Sequence, residues 1–179
     1  NFVENPETIP ENVREIAPTV FVAVPRVWEK FYSAVHIALK ESNRTEQFAY
    51  QWAIGVGMEM VRRYEAGQAI GTGLRVAHWL ARALVLNNVR KLIGIHRSRM
   101  LITGAAPISP DLVRWFMALG VPMLEVWGMT ETGGGSTAMP LERIKPGSIG
   151  VPGELNELKL SEAGEIMVRG PNVFMGYLN

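Results

Sequence analysis

Residues 99–128, RMLITGAAPISPDLVRWFMALGVPMLEVWG, decide the fold of this chain. The apolar run at 99–103 predicts a buried strand, and the run at 122–126 predicts another. Between them, Ser109–Asp111 supplies in order an N-cap, a first-turn proline and an acid that favours a helix N-terminus. The apolar helix that follows ends at Gly120. A strand, a helix and a strand in this order predict parallel strands joined by a helical crossover.

One more strand and a long helical insert are predicted before this stretch. Residues 19–24 form a short β-branched run that is followed directly by Pro25, a residue suited to the first turn of a helix. Apolar residues then recur at helical spacing across an insert of about residues 26–95. The three helices of the insert are expected at about residues 26–41, 44–64 and 74–93.

The second helix of the insert carries two local signals. Asn43 with Glu46 three residues later resembles a capping box, in which each side chain bonds to the other residue's backbone N–H. Gly55 and Gly57 each cost about 1 kcal/mol relative to alanine inside a helix. We therefore expect these glycines to allow close packing against a neighbouring helix.

The character of the chain changes after about residue 136. Glycine and proline become dense, and short apolar sets alternate with polar residues. Residues 157–160 and 165–168 predict two strands joined by a connection of hairpin length. The fold class is thus predicted as α/β, with a parallel sheet and helical crossovers in residues 1–136. A small, incomplete antiparallel β-rich subdomain is predicted for residues 137–179.

Composition excludes several classes of protein. The 179 residues carry a formal net charge of +1 and no cysteine, so neither a disulfide framework nor a thiolate metal site is available. Because the charge is close to neutral, nothing indicates nucleic-acid binding. The sequence shows neither a signal peptide nor a run of 18 apolar residues. We expect a cytoplasmic protein, and the first residue, Asn1, suggests a piece cut from a longer one.

One segment, Arg62–Arg99, is strongly basic. It contains a single acid, Glu65. Its basic residues are Arg62, Arg63, Arg75, Arg82, Arg90, Lys91, Arg97 and Arg99. Solvated helix faces would explain such a set, and so would contact with cofactor phosphates or with anionic lipid headgroups. The last alternative predicts peripheral membrane contact.

The run WGMTETGGG, Trp127–Gly135, has the residue types of a magnesium–phosphate site. Gly128 permits close approach of the backbone to a ligand, and Thr130 can donate to a phosphate oxygen. Glu131 offers the hard carboxylate oxygen that Mg²⁺ prefers. Trp127 offers a flat face on which a nucleobase could stack. The alternative is a glycine-rich turn whose threonine and glutamate cap a following helix.

A second loop of small residues, Thr103–Pro107, follows the preceding predicted strand. Small side chains leave the backbone free to lie against a flat ring, although a tight strand-to-helix turn would also need them. Ligands of open α/β sheets bind at the carboxyl ends of the strands. We therefore expect this loop and the Trp127–Gly135 run to form one pocket.

Three ordered segments resemble the adenylate-forming superfamily of acyl-CoA synthetases. They are residues 103–107, 127–131 and 164–177, and the resemblance covers essentially the whole chain. Val24–Lys30, followed by the long helical insert, further resembles the long-chain fatty acyl-CoA synthetase branch. The resemblance implies part of the large N-terminal domain of an ATP-dependent long-chain fatty acid–CoA ligase.

This resemblance implies an acid–thiol ligase acting in two steps. A fatty-acid carboxylate attacks the α-phosphate of ATP to give an acyl-adenylate and pyrophosphate, and the thiol of CoA then displaces AMP to form the acyl-CoA thioester. The catalytic residues implied are Thr130, at the α-phosphate, and Glu131, which would also hold Mg²⁺. The residues implied in cofactor binding are Gly104, Ala105, Ala106, Pro107, Trp127, Gly128, Met129 and Thr130. The family commonly has tyrosine at position 127, and tryptophan keeps the stacking face while losing the phenol hydrogen bond.

Several alternatives remain open on the sequence. The family's phosphate loop, ribose-binding aspartate and catalytic lysine are expected outside these 179 residues, so we expect this segment alone to be inactive. A domain that loads a carrier protein and a non-catalytic scaffold that binds nucleotide or acyl chains are the competing functions. Arg26 and Trp28 could border an acyl tunnel or be purely structural. The three histidines lack metal-ligand spacing and receive no role.

Overall fold

The fold is centred on a sheet of five strands in the order β1-β2-β3-β4-β5, in a computed structural model that describes residues 5–178. The strands β1, β2 and β3 are parallel, whereas β4 and β5 extend the sheet antiparallel from β3. The strand bounds are Val20–Ala23 (β1), Met100–Thr103 (β2), Met123–Trp127 (β3), Thr137–Ala138 (β4) and Val151–Pro152 (β5). The predicted parallel sheet with helical crossovers is confirmed.

Six α-helices are present in the described chain, and the four between residues 25 and 92 form the predicted insert. Their bounds are Ile9–Ile16 (α1), Pro25–Glu41 (α2), Arg44–Glu65 (α3), Thr72–Ala81 (α4), Asn87–Leu92 (α5) and Pro110–Ala118 (α6). The third predicted helix of the insert is one helical run in which a π-helical segment, Arg82–Leu86, joins α4 to α5. The capping box of Asn43 and Glu46 at the start of α3 is confirmed, because each side chain bonds to the other's backbone N–H.

Helix α6 lies in the crossover between β2 and β3 and supplies much of the core. Ser109 occupies the N-cap position as predicted, but its side chain makes no capping hydrogen bond. Trp115 and Phe116 point into the core, where the indole N–H of Trp115 donates to the Tyr50 hydroxyl at 2.9 Å. Phe116 also makes an edge-on contact with Trp28, with ring centroids 5.2 Å apart. Aromatic packing thus joins α2, α3 and α6.

The close approach of α3 to α6 depends on Gly57. A Cβ atom built there would collide with the carbonyl oxygen of Ala118, so the helices could not stay at this separation with any other residue. Gly55 has nothing within 4 Å of such an atom. The predicted role in close helix packing therefore holds for Gly57 but not for Gly55.

Trp28 is a core residue. Its side chain is fully buried, and its indole N–H donates to the carbonyl oxygen of Ala23 at 3.0 Å, which ties the start of α2 to the end of β1. Arg26 is exposed on the same helix. Of the two alternatives for Trp28, the structural one is observed.

The antiparallel hairpin is confirmed downstream. Strand β6, Glu157–Leu160, pairs with β7, Ile166–Arg169, in a separate two-stranded sheet. The five-stranded sheet itself continues past residue 136, because β4 and β5 pair with β3. The division into subdomains at that residue stays a prediction.

Candidate active site

A cavity of 330 Å³ opens at the carboxyl ends of β2 and β3. Both predicted glycine-rich loops border it, together with a third segment, Gly147–Ile149, that the sequence did not indicate. Its lining residues are Thr103, Gly104, Ala105, Ala106, Pro107, Ile108, Glu125, Val126, Trp127, Gly128, Gly147, Ser148 and Ile149. The first loop lines the cavity throughout, but of the Trp127–Gly135 run only Trp127 and Gly128 do, so the expected shared pocket is observed in part.

The first loop is held tightly against β3. A Cβ atom at Gly104 would lie 2.7 Å from the Cγ2 atom of Val126, so only glycine permits this approach. Ala105 has a φ of +66°, in the left-handed region that residues with a side chain rarely adopt. Such strain persists where the surrounding structure fixes the backbone, and it clusters at ligand sites.

A polar pair lies across the two strands that border the cavity. Thr103 on β2 and Glu125 on β3 are register partners. The Thr103 hydroxyl is buried and has no hydrogen-bond partner within the described chain. The Glu125 carboxylate accepts from the backbone N–H of Gly147 at 3.0 Å. Partial burial raises the pKa of Glu125 above its usual range, and the bond from Gly147 opposes that shift.

Beyond β3 the second motif folds into a closed turn. The backbone N–H of Gly134 donates to the carbonyl oxygen of Met129, and the Met129 N–H donates to the Thr132 hydroxyl. A Cβ atom at Gly128 would collide with the carbonyl oxygen of Gly134. The close approach that Gly128 permits is therefore to its own chain. The three residues Thr130–Thr132 form a single 3-10 turn that leads into glycines, so no α-helix follows for them to cap.

Thr130 and Glu131 lie beyond the cavity and not in its lining. Thr130 is exposed and begins the 3-10 turn, while Glu131 is partly exposed beside it. Trp127 and Gly128 do line the cavity, and Met129 does not. The consecutive residues Trp127–Glu131 thus lead from the cavity lining into the 3-10 turn that carries Glu131.

Glu131 is bonded to a residue far along the chain. Its Oε1 atom accepts a hydrogen bond from the Tyr177 hydroxyl at 2.8 Å. Hydrogen bonding from its own backbone N–H, and then from Tyr177, lowers the pKa of Glu131. The carboxylate is therefore ionised and able to attract a cation. The sequence analysis names Tyr177 only as the end of the family-like segment 164–177, so its contact with Glu131 was missed.

Other candidate groups lie elsewhere. Among residues 5–178, no cluster of three or more His, Cys, Asp or Glu side chains could hold a metal. In the basic segment, Arg62 and Arg63 pair with Glu59, while Arg90 is buried and donates to the carbonyl oxygens of His96 and Ser98. The remaining five cations, at positions 75, 82, 91, 97 and 99, are exposed. No helix in the described part of the chain is long and apolar enough to cross a membrane.

Comparison with known sequences shows the family. The sequence model described as AMP-binding enzyme matches residues 1–178. The chain is 34% identical over 180 residues to fadD11 of Mycobacterium tuberculosis, covering 98% of this chain and 31% of that protein. It is 35% identical over 178 residues to the long-chain-fatty-acid–CoA ligase ACSBG2 of Gallus gallus, covering 96% of this chain and 23% of that protein. The chain thus spans 23% to 31% of the length of these two relatives.

Solved structures support the fold. A long-chain-fatty-acid–CoA ligase, FadD1, from Archaeoglobus fulgidus superposes with a TM-score of 0.52 at 22% identity, covering 97% of this chain and 29% of that one. A benzoate CoA ligase from Burkholderia xenovorans LB400 gives a TM-score of 0.54 at 18% identity, covering 97% and 27%. The likeness covers the whole α/β unit and the hairpin. By its sequence from residue 1 to residue 178, the chain belongs to the family of AMP-binding enzymes.

Proposed function

We propose that this chain is the central part of an ATP-dependent long-chain fatty acid–CoA ligase. In this proposal the cavity at the carboxyl ends of β2 and β3 receives the adenylate, and the Thr130–Thr132 turn receives the phosphates. The observation that carries it is the cavity that the Thr103–Pro107 loop and the Trp127–Gly128 corner line together. Membership in the AMP-binding enzyme family supports the same assignment.

The donor set fits a magnesium ion shared with phosphates. Mg²⁺ is usually held by one or two carboxylates, with water and substrate phosphates completing the shell. Glu131 supplies the carboxylate of a partly exposed residue, and its exposed neighbour in the 3-10 turn, Thr130, carries a hydroxyl. In this role Mg²⁺ would supply neutralisation of phosphate charge. A site built only from protein ligands does not fit, because the described residues offer no cluster of three acidic or imidazole groups.

Each residue then has a role that its position supports. Trp127 and residues 104–107 all line the cavity, where the Trp127 ring would stack on the adenine. Thr130 would donate a hydrogen bond to the α-phosphate, and Glu131 would hold the Mg²⁺ ion that neutralises phosphate charge. Catalysis would arise mostly from positioning and from charge stabilisation, since the attacking carboxylate comes from the substrate.

The acid substrate and the thiol acceptor are proposed from the names of the relatives. ACSBG2 of Gallus gallus is named a long-chain-fatty-acid–CoA ligase, which supports a long-chain acid as the substrate and CoA as the acceptor. We also propose a cytoplasmic location, in keeping with the absence of cysteine. A non-catalytic scaffold and a carrier-loading domain are less favoured, because the named relatives are CoA ligases.

The experiment is a substrate assay with the full-length protein that contains this chain. Pyrophosphate release is measured with ATP, Mg²⁺ and a series of fatty acids from short to long, with and without CoA. The proposal expects acid-dependent pyrophosphate release that is highest for long chains, with acyl-CoA and AMP formed once CoA is added. Release with short or aromatic acids only would contradict the long-chain assignment, and transfer only to a carrier protein would contradict CoA as the acceptor.

A further inference from the structure

A tyrosine from the end of the described chain contacts the carboxylate proposed to hold the metal. The Tyr177 hydroxyl donates to Oε1 of Glu131 at 2.8 Å, across 46 positions of sequence. Within residues 5–178 no other side chain forms a hydrogen bond with this carboxylate. Its own backbone N–H also bonds to the carboxylate. Because a carboxylate has about four lone-pair positions, these two bonds leave acceptor capacity for a cation.

The backbone around Tyr177 holds this contact in place. The N–H of Phe174 donates to the carbonyl oxygen of Glu131 at 2.9 Å, and the Asn172 side chain donates to the carbonyl oxygen of Thr132 at 2.8 Å. The rings of Phe174 and Tyr177 meet edge to face, with centroids 4.7 Å apart. Residues 172–177 thus form hydrogen bonds with the backbone of the 3-10 turn and with its Glu131 side chain.

We propose that Tyr177 is a positioning residue that presents Glu131 to the metal. A glutamate on a turn can adopt several rotamers, and binding a cation would otherwise require it to lose that freedom. A hydrogen bond to one carboxylate oxygen restricts the rotamers and directs the other oxygen outward. Partners of this kind orient metal ligands, and their loss typically weakens metal affinity by about 10- to 100-fold. The inference rests on the proposed function, since it takes Glu131 as the metal ligand.

The test compares two tyrosine-to-phenylalanine variants in the full-length protein. Tyr177→Phe removes only the hydroxyl and keeps the ring contact with Phe174. Tyr32→Phe is the matched control, because Tyr32 lies on α2 and its hydroxyl forms no hydrogen bond within the described chain. Binding of Mn²⁺, used as a paramagnetic substitute for Mg²⁺, is measured by electron paramagnetic resonance with a non-hydrolysable ATP analogue present. The KM for Mg²⁺ and kcat are measured in parallel.

The expected result separates metal affinity from folding. Tyr177→Phe should weaken Mn²⁺ binding and raise the KM for Mg²⁺ by about tenfold. Its kcat at saturating Mg²⁺ should fall much less, because excess cation offsets the lost orientation. Tyr32→Phe should leave all three quantities at the wild-type values. In a background that already carries Glu131→Gln, Tyr177→Phe should have no further effect on Mn²⁺ binding, since it acts through that carboxylate.

Three outcomes would each contradict a different assignment. Wild-type Mn²⁺ affinity in Tyr177→Phe, while Glu131→Gln loses it, would remove the positioning role and leave the proposed function intact. Wild-type Mn²⁺ affinity in Glu131→Gln would instead remove the metal assignment itself. Tyr177→Phe could also lower Mn²⁺ affinity equally in the wild-type protein and in the Glu131→Gln variant, together with a lower thermal midpoint. That result would show a purely structural effect and contradict the inference.

Discussion

Thr103 on β2 and Glu125 on β3 are register partners, and both line the cavity at the carboxyl end of the sheet. Among the residues that the structure describes, the threonine hydroxyl is buried without a partner, whereas the carboxylate is held by the backbone N–H of Gly147. Unpaired buried polar groups are costly, and functional sites are where such costs are retained. The cavity therefore offers one free hydroxyl and one partly buried acid to a ligand.

Glu125 should make stability depend on pH. Because burial raises the pKa of Glu125, its protonated form is favoured in the folded state. The resulting contribution to the free energy of unfolding is fully present below the pKa of Glu125 in the unfolded chain. It is lost as the pH rises through the higher pKa of the folded state. Glu125→Gln should therefore flatten the fall of the thermal midpoint as the pH rises above the ordinary glutamate pKa of about 4.3. The control, Glu162→Gln in the exposed turn between β6 and β7, should keep the wild-type profile, and a wild-type profile for Glu125→Gln would refute the assignment.

Gly57 and Gly55 form a matched pair within α3. Gly57→Ala should lower the free energy of unfolding by about 1–3 kcal/mol, because its methyl group would collide with the carbonyl of Ala118. Gly55→Ala meets open space, and it should raise stability by about 0.5–1 kcal/mol through helix propensity. Chemical denaturation measures both changes. Equal effects of the two substitutions would contradict the described approach of α3 to α6.

Arg90 should matter for stability despite its place in a basic segment. Its side chain is 3% exposed and donates to the carbonyl oxygens of His96 and Ser98, before β2 begins. Arg90→Ala should cost about 2–4 kcal/mol, from the cavity and the two carbonyls left without this donor. Arg97→Ala removes an exposed arginine and should change stability by no more than about 0.5 kcal/mol. Similar thermal midpoints for the two variants would show that Arg90 is not a core residue.

Membrane contact through the basic segment stays a proposal with a direct test. Trp79 and Leu84 are 67% and 63% exposed on the run from α4 to the π-helical segment, and Arg75 and Arg82 are exposed beside them. This arrangement predicts binding to vesicles with anionic lipids that weakens as salt is raised. Trp79→Ser should reduce vesicle binding, whereas Phe48→Ser, on α3 outside the basic segment, should not. Equal partitioning of the wild-type protein onto neutral and anionic vesicles would count against the contact.

The parallel part of the fold could be predicted because its signals are local. The apolar runs of β1, β2 and β3 and the start of α6 lie within one residue of the expected positions. Strands β4 and β5 have two residues each, so they carry no alternation that a sequence could reveal. The helix α1 was not predicted, because its eight residues are too few for a clear apolar period.

Topology and composition predicted that the two glycine-rich loops border the site, but not its other contacts. The carboxyl ends of adjacent parallel strands meet, so the two glycine-rich loops had to be neighbours. Gly147–Ile149 was missed because nothing local marks a loop that returns to the sheet from 20 residues downstream. Glu125 left a signal, since it is a lone acid inside an apolar strand. The bond from Tyr177 depends on tertiary structure alone.

In the proposed function, Glu131 holds the metal during acyl-adenylate formation. The most direct measurement is pyrophosphate release with a long-chain fatty acid, ATP and Mg²⁺ in the full-length protein that carries Glu131→Gln, beside the exposed control Glu162→Gln. Glu131→Gln should lower the rate by at least about 100-fold, because a neutral amide cannot replace the carboxylate as a ligand of a hard cation. Thermal midpoints should be similar for both variants. A wild-type rate in Glu131→Gln, with Glu162→Gln equally active, would contradict the account.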